Sequence, residues 1–559
     1  MAVATPWRPA AEFQARAEAL GVANPATSIS TRPMNGAWTS TATRPDGTST
    51  LTTVSMLAAG VQRSEVSNRN TAGSAIETTT ILSDALGRSS SVTDGRGNRT
   101  DYAYNPGGGG ILTVTRVGAA PGGGDLATSY GYAILAAGRR TTTTLPDATS
   151  QYQETDVKGQ VVRQWGSQTN PVAYAYDDAG RLHTHTTFRA PVAASANDFP
   201  SVAGDTTTWN HDPSGVLLEK IYPDDKKITY TYDIAGNPAT RVWARGSTAT
   251  YAYLAGRLAS IDYSDSTPDA AFAYDRLGRI ASASQSGGAS TPTASILYDY
   301  DANTLALDKE TITIDPDGSG GAIPSLTSIL DRSRDAFGRA QGFTLGTEHH
   351  VTYGYDVSGR LATIAAQGVP NLPDKNHAWE YSYVSGSDLT DTLAGPVHVV
   401  DNDYEAKRDV LLSRKATRGT TTLSEPGYTV NAIGQRTARA LKGTLRAEFY
   451  GGGATADFPT AWSYDPLGQV TAETKTQVED GKANRAYAYD QIGNRLTSAE
   501  AEVLTPYFGD TAGTVHGANR LNQYMSVSTF PVAPAYDDAG NQTPGAIRPL
   551  GATTLTACG

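Results

Sequence analysis

Short segments of alternating apolar and polar residues recur along the chain, and each ends in a turn signal. In KKITYTYD, residues 226–233, every second side chain is apolar or aromatic, so these side chains share one face of an extended strand. In YAYDDAGRL, residues 174–182, Tyr174 and Tyr176 share a face in the same way. Such segments predict strands of about six residues separated by tight turns.

The motif D-x-x-G closes many of these segments. Eleven copies that align with YDDAGRL occur, with their aspartates at positions 84, 156, 177, 212, 233, 275, 335, 356, 465, 490 and 537. The steps from 156 to 177, from 212 to 233 and from 335 to 356 are each 21 residues, and the step from 233 to 275 is twice that. A fixed period predicts a repeat architecture, and eleven copies argue against a single active site.

The chemistry of the motif predicts a turn between antiparallel strands. An aspartate in the first position can accept a hydrogen bond from a nearby backbone N–H, and an Asn oxygen could make the same bond. A glycine in the fourth position supplies the positive φ that closes a type I turn with a bulge. We assign a structural turn role, and no catalytic, cofactor or metal role, to Asp177, Gly180, Asp233, Gly236, Asp275, Gly278, Asp356, Gly359, Asp465, Gly468, Asp490 and Gly493.

The pattern also predicts the organisation of the chain. A second turn class, seen in YPDD at 222–225 and RPDG at 44–47, falls between the D-x-x-G turns. Residues 27–545 are therefore predicted to form one region of β-hairpins, followed by an unstructured or truncated tail at 546–559. Residues 1–26 form a separate N-terminal segment, in which PAAEFQARAEALG at 9–21 predicts one short helix bounded by Pro9 and Gly21.

Composition narrows the function classes. The net charge is -11, and no Lys or Arg run is long enough to follow a phosphate backbone, so we expect no nucleic-acid partner. No apolar stretch is long enough to span a membrane as a helix, and the N-terminus has no Sec-type signal peptide. Leu, Ile, Val and Phe together make up only about 17% of the chain, while 29 residues are Tyr. This balance favours thin sheets over a thick core.

The motif Y-x-Y-D-x-x-G-R, with its Y-P-D-x turn upstream, strongly resembles the YD repeats of the RHS (rearrangement hotspot) family. The resemblance covers roughly residues 80–545. The family includes bacterial polymorphic toxins, wall-associated proteins, the shell subunit of insecticidal toxin complexes and the teneurins. It implies an all-β fold in which YD-repeat antiparallel hairpins form one sheet that spirals into a hollow shell.

The resemblance also implies a function. We expect a non-enzymatic container portion of a secreted or cell-surface, polymorphic toxin-like protein, whose partner is an enclosed C-terminal toxin or cargo polypeptide. The chain contains no acidic D-P-x-G-type self-cleavage motif after Thr543, so neither cleavage residues nor a toxin is assigned, and the core and toxin region is expected to be absent from this chain.

Two other interpretations stay open at this stage. Tyrosine-rich sheet faces could stack against sugar rings, so a cell-surface adhesion or carbohydrate-binding repeat protein with glycan partners is the alternative. Tyrosines that pack across strands are the simpler explanation of the same residues. His183 and His185 share a strand face, but no third ligand stands at an established spacing, so we predict no metal and no cofactor.

Overall fold

The computed structural model describes most of the chain. The described residues are 28–34, 37–107, 109–120, 123–189, 198–286, 293–316, 324–347, 349–367, 377–445, 459–475, 484–500, 503–508, 518–528, 534–538 and 540–542.

These residues form 40 β-strands. The first twenty are β1 (Ser28–Met34), β2 (Ala37–Thr43), β3 (Ser49–Met56), β4 (Gln62–Arg69), β5 (Ala75–Ser83), β6 (Ser89–Thr93), β7 (Arg99–Tyr104), β8 (Ile111–Arg116), β9 (Leu126–Leu135), β10 (Gly138–Thr144), β11 (Ser150–Asp156), β12 (Val161–Gly166), β13 (Thr169–Tyr176), β14 (Leu182–Thr187), β15 (Asp205–His211), β16 (Leu217–Ile221), β17 (Lys227–Tyr232), β18 (Pro238–Val242), β19 (Thr248–Leu254) and β20 (Arg257–Tyr263).

The other twenty are β21 (Asp269–Tyr274), β22 (Ile280–Ser286), β23 (Thr293–Tyr300), β24 (Leu307–Asp315), β25 (Leu326–Arg334), β26 (Ala340–Leu345), β27 (His349–Tyr355), β28 (Leu361–Gln367), β29 (His377–Tyr383), β30 (Thr390–Ala394), β31 (Val399–Tyr404), β32 (Leu411–Arg418), β33 (Thr421–Val430), β34 (Arg436–Lys442), β35 (Thr460–Tyr464), β36 (Val470–Lys475), β37 (Arg485–Tyr489), β38 (Arg495–Glu500), β39 (Val503–Phe508) and β40 (Ser526–Val527). A three-residue 3-10 helix, Ala58–Gly60, follows β3.

Every strand pairing described is antiparallel and joins strands that follow one another along the chain, as in β13 with β14 and β14 with β15.

The chain divides into two compact units. Unit 1 comprises Met1–Ala127, Ala270–Gly427 and Lys442–Ala447, and unit 2 comprises Thr128–Asp269, Tyr428–Leu441 and Glu448–Gly559. Each unit therefore contains two runs of consecutive strands that are far apart in sequence. We call β1–β8 and β22–β32 the first and second runs of unit 1, and β10–β20 and β35–β40 those of unit 2.

The hairpin of β13 and β14 shows how the motif sets the register. The Gly180 N–H donates to the Asp177 carbonyl at 2.9 Å, and the Asp177 N–H donates to the Arg181 carbonyl at 2.9 Å. Gly180 has φ of 82°, in the left-handed region. The register shifts by one residue between Ala175 and Tyr176, as expected of a type I turn followed by a bulge.

Side chains in unit 2 pack in small clusters. Trp165, at 2% exposure, is among the few large side chains that are almost fully buried. Its ring stacks on Tyr152 at 5.1 Å between centroids and meets the edge of Phe199 at 5.4 Å. The Arg140 guanidinium lies 5.2 Å from the Trp165 ring centroid. Aromatic and cation–π contacts thus supply packing where large aliphatic side chains are scarce.

The prediction of an all-β fold of antiparallel hairpins is confirmed, since no helix of seven or more residues occurs in the described ranges. The predicted helix at 9–21 and the predicted segments 1–26 and 546–559 lie outside the described residues. Among the described residues, no helix is long and apolar enough to cross a membrane.

The turn glycine gives the first testable prediction. We expect Gly180→Val to destabilise its hairpin by about 1–3 kcal/mol, because a β-branched residue is a steric outlier at positive φ. Hydrogen exchange of the β13 and β14 amides measures the effect. Gly131→Ala is the matched control, since an added Cβ there meets Thr142 Cβ at an ordinary 3.8 Å. Equal exchange rates in the two variants would contradict the turn role of Gly180.

Candidate functional site: the turn rims

Because consecutive strands are antiparallel, their turns alternate between the two ends of each run. The eleven aligned D-x-x-G turns all fall at the same end of their runs, which we call the Asp rim. The DGRG turn at 94–98 has the same spacing but falls at the other end. The turns at the other end, which we call the opposite rim, include residues 44–48, 70–74, 94–98, 167–168 and 222–226. These rims concentrate the charged and turn-forming residues that the sequence singles out.

The six predicted aspartates all bind the backbone of their own turns. In each, Oδ1 accepts the N–H of the residue four positions later at 2.8–2.9 Å. The glycines of the same six turns have φ between 77° and 91°. Each side-chain hydrogen bond described for these aspartates is made within the aspartate's own turn. The twelve predicted residues therefore lie in separate turns along the Asp rim and do not form one site. They are Asp177, Gly180, Asp233, Gly236, Asp275, Gly278, Asp356, Gly359, Asp465, Gly468, Asp490 and Gly493.

The residue after the glycine completes the turn. In the turn at Asp177, Arg181 Nε donates to Oδ2 of the carboxylate at 2.6 Å. The hydrogen bond from the Arg181 backbone N–H, with its guanidinium, holds the pKa of the Asp177 carboxyl below its ordinary value. Arg181 Nη1 also donates to the Asp212 carbonyl in the next D-x-x-G turn at 2.9 Å. One arginine therefore joins two neighbouring turns.

The motif tyrosine makes a second link between neighbouring hairpins. Tyr176 donates its hydroxyl to the Val161 carbonyl at 2.8 Å, and Tyr355 donates to the Ala340 carbonyl at 2.7 Å. In both cases the acceptor carbonyl belongs to the residue that follows the preceding D-x-x-G turn. Partial burial raises the pKa of Tyr176. The Arg339 guanidinium lies over the Tyr355 ring, 4.2 Å from its centroid.

This link was missing from the sequence interpretation, which explained the tyrosines by cross-strand packing. The signal lay in the spacing, because many of these tyrosines follow their acceptor residue by 15 positions. The tyrosines with a hydroxyl bonded in this way include Tyr104, Tyr176, Tyr232, Tyr300, Tyr355, Tyr383 and Tyr464.

In unit 1, the opposite rim of the first run contacts the Asp rim of the second run. The Thr71 N–H donates to the Val357 carbonyl at 3.0 Å. Arg339 Nη1 lies 3.3 Å from Asp46 Oδ2, across 293 residues of sequence. These contacts join turn to turn, without a strand ladder between the two runs in the described residues.

The two rims of unit 1 approach each other closely at a pair of glycines. A Cβ added to Gly95 would lie 2.3 Å from the Gly386 carbonyl oxygen, closer than any real contact allows. The neighbouring Arg96 forms an ion pair with Asp409 of the second run. Glycine at position 95 is therefore required by the approach of the two backbones and not by its own φ.

Unit 2 repeats the arrangement with other residues. The Gln168 N–H and the Ser167 hydroxyl both donate to the Pro466 carbonyl, at 2.8 and 3.0 Å. Lys226, in a YPDD turn, forms an ion pair with Asp538, which raises the pKa of the lysine. In both units, the opposite rim of the first run meets the Asp rim of the second.

Unit 2 also contains a polar cavity of about 550 Å³. Its floor is formed by His185 opposite Thr207 and Thr187 opposite Asp205, on one face of β14 and β15. Burial lowers the pKa of His185, so its imidazole is neutral near pH 7. The neighbouring His183 bonds the Trp209 carbonyl at 3.0 Å. No cluster of three or more potential metal ligands occurs in the part of the chain that the structure describes.

Comparisons with known proteins give a likeness in fold. No family model matches the chain, and no curated protein does. The solved structure of TcdB2-TccC3 without its hypervariable C-terminal region matches 90% of this chain with a TM-score of 0.64 at 15% identity. The TcdB2-TccC3-Cdc42 structure and the Tc holotoxin pore of Photorhabdus luminescens each match 89% with a TM-score of 0.63 at 14% identity. The chain spans 28% of the length of each of these chains.

The turn carboxylate gives a second prediction. The bond from Arg181 to Asp177 changes the expectation that Asn would substitute freely, because an Asn amide would place its own donor against the guanidinium. We expect Asp177→Asn to lower the urea midpoint of unfolding and Arg181→Gln to restore part of the loss. The turn at Asn431 already pairs with Gln435 in this way, Nδ2 to Oε1 at 2.8 Å. A neutral single variant, or a double variant that is less stable than the single one, would refute this account.

The close approach of the rims gives a third prediction. We call the contacts between the two runs of a unit the joint between them. We expect Gly95→Ala to weaken the joint between the two runs of unit 1 by about 1–3 kcal/mol, since the added methyl group has no room. Faster proteolysis in the 384–389 and 405–410 turns would report the opening. Gly107→Ala serves as the control, because the Cβ there meets only the Asn105 side chain at 3.7 Å. Unchanged cleavage in Gly95→Ala would show that the joint does not depend on this contact.

Proposed function

We propose that the chain is a non-enzymatic part of the wall of an RHS-type container, and that the container encloses a toxin or cargo polypeptide. The observation that carries the proposal is the likeness in fold to the TcdB2-TccC3 chains over nine tenths of this chain. The YD motifs support the same assignment independently, since the motif arginine and tyrosine make contacts that join neighbouring hairpins, as Arg181 and Tyr176 do.

The contacts of the rims favour a wall over a catalytic surface. The aspartates, arginines and tyrosines of the motif are engaged with backbone carbonyls, backbone N–H groups and one another. Asp177, Arg181 and Tyr176 show this in a single repeat. Groups held in this way have no free proton-transfer or nucleophilic role, whereas active sites require groups placed toward a substrate.

The joints between runs favour a closed surface. A single sheet of hairpins has free turn ends, and in each unit some of those ends contact another run. A wall built from successive runs needs such joints to exclude water and proteases from its interior. Under this proposal the protein is secreted or located at the cell surface, as the family resemblance implies.

A carbohydrate-binding surface is the second candidate. The repeated tyrosines do not favour it, because many of their hydroxyls are bonded to backbone carbonyls and several rings lie against arginines. The polar cavity over β14 and β15 favours it, since its volume falls within the range of small-molecule sites, about 300–1,000 Å³. A glycan array separates the two candidates, because a wall that only encloses needs no glycan ligand.

Small-angle X-ray scattering tests the container proposal and gives the fourth prediction. A filled globule of 559 residues would have a radius of gyration of about 24 Å. A wall around a cavity places mass far from the centre, so we expect a distinctly larger radius and a secondary maximum in the scattering profile. A monomer with the radius of a filled globule would rule out the container.

A further inference from the structure

The polar cavity of unit 2 is lined by both of its runs. Its floor is the face of β14 and β15 that carries His185 and Thr207. Its opposite side is formed by the two turns that flank β40, at 519–523 and 537–541. The cavity therefore lies within the joint of unit 2, and it requires the two runs to be in contact.

Ion pairs fix the turns over this floor. The Asp205 side chain is only 11% exposed, and its Oδ1 lies 3.3 Å from Arg520 Nε in the turn at 519–523. Arg189 forms a second ion pair with the same carboxylate. At the other turn, Lys226 pairs with Asp538. The lining is thus held in place without a ligand, which lowers the entropy that a ligand must lose to order it.

The charges of the cavity balance one another. Three carboxylates of the lining lie beside three cations in ion pairs, and these groups are Asp205, Asp224 and Asp538 with Arg189, Lys226 and Arg520. Burial lowers the pKa of His185, so its imidazole adds no charge near pH 7. A lining without excess charge favours a neutral ligand, because an ion would leave water without gaining a free counter-charge.

Several polar groups of the floor are available to a ligand. Within the described ranges, no hydrogen-bond partner meets the His185 ring or the hydroxyls of Thr187 and Thr207. On the opposite face of the same strands, the Thr186 and Thr206 hydroxyls bond each other at 2.9 Å. A neutral imidazole offers one donor and one acceptor, and a threonine hydroxyl offers both. The floor therefore complements a ligand whose own groups both donate and accept, as alcohol hydroxyls do.

Tyrosines supply the apolar part of the lining. The Tyr536 hydroxyl donates to the Tyr524 carbonyl at 3.1 Å, and the Tyr524 hydroxyl accepts the Arg495 backbone N–H. With these hydroxyls engaged, the ring surface is what these two tyrosines offer a ligand. Tyr222 also lines the cavity. A sugar presents apolar C–H faces beside its hydroxyls, so rings next to hydrogen-bonding groups fit it.

We propose that this cavity binds a neutral sugar residue. Its volume of about 550 Å³, its balanced charges, its unpaired hydroxyl and imidazole groups and its tyrosine rings all favour a small, uncharged, hydroxylated ligand. The inference rests on the carbohydrate-binding candidate and names its site. It is independent of the container proposal, because a wall can enclose a cargo whether or not it also binds a sugar.

Saturation-transfer difference NMR of the full chain tests the site and gives the fifth prediction. The probes are glucose, galactose, mannose, N-acetylglucosamine and rhamnose, each titrated to obtain a dissociation constant. We expect at least one of them to bind. We expect the charged sugars glucuronate and glucosamine to bind no more tightly than glucose, because the ion pairs leave no counter-charge for them.

Substitutions in the floor locate the binding. We expect Thr207→Val to weaken the affinity for the bound sugar about threefold to tenfold, since one hydrogen-bonding group is lost. We expect a similar loss from His185→Phe, which removes both ring nitrogens and keeps a ring against Tyr174, now 5.1 Å away between centroids. Thr208→Val is the matched control, because this neighbouring threonine points to the opposite face of β15. Circular dichroism confirms that each variant retains its strands.

The outcomes separate the site from the candidate function. A sugar that binds wild type and Thr207→Val equally well would overturn this site and leave the carbohydrate-binding candidate standing. If none of the five sugars bound, the site would be overturned, and a positive glycan array would then place carbohydrate binding elsewhere. Tighter binding of glucuronate or glucosamine than of every neutral sugar would overturn the assignment of a neutral ligand. Equal weakening by Thr208→Val would show that the effect does not come from the cavity.

Discussion

A residue with left-handed backbone conformation near the end of the D-x-x-G turns, and of many other tight turns, is the constraint on which this architecture depends. It allows the chain to reverse within five residues, and it directs the following N–H back to the first residue of the turn. Only then can Asp177 Oδ1 bind the Arg181 N–H, and only then does the Arg181 side chain extend toward the next turn. The hairpin register, the carboxylate cap and the link between neighbours all follow from this one conformation.

The local part of this arrangement could be predicted from the sequence. The alternation of KKITYTYD and the recurrence of D-x-x-G were sufficient for strands, turns and the positions of the capping aspartates, because each depends on residues within a few positions. Turns without glycine were harder to predict, since Ala148, Asp225 and Asn522 adopt positive φ values of 66°, 67° and 62°. Their short side chains meet the same backbone requirement at greater steric cost.

The contacts between runs could not be predicted in the same way. Asp46 and Arg339 are 293 residues apart, and nothing in either turn sequence identifies the other as its partner. The pairing depends on how many residues each run contains and on how the strands twist, which a period of 21 residues does not determine. The same reasoning explains a matching fold at 14–15% identity. The fold requires a positive φ near the end of the turn and a side-chain oxygen that accepts a backbone N–H of the turn. Several residue types can meet each requirement.

The two kinds of connection differ in strength, and this difference has a structural consequence. Strands within a run share continuous ladders of backbone hydrogen bonds, whereas runs meet through single N–H to carbonyl bonds and partly exposed ion pairs. Each exposed ion pair contributes little to the free energy of stability, and salt screens it. A joint of this kind therefore depends on excluding water from the turn side chains. The runs should separate before the hairpins unfold, because separation breaks few bonds and exposes only these side chains.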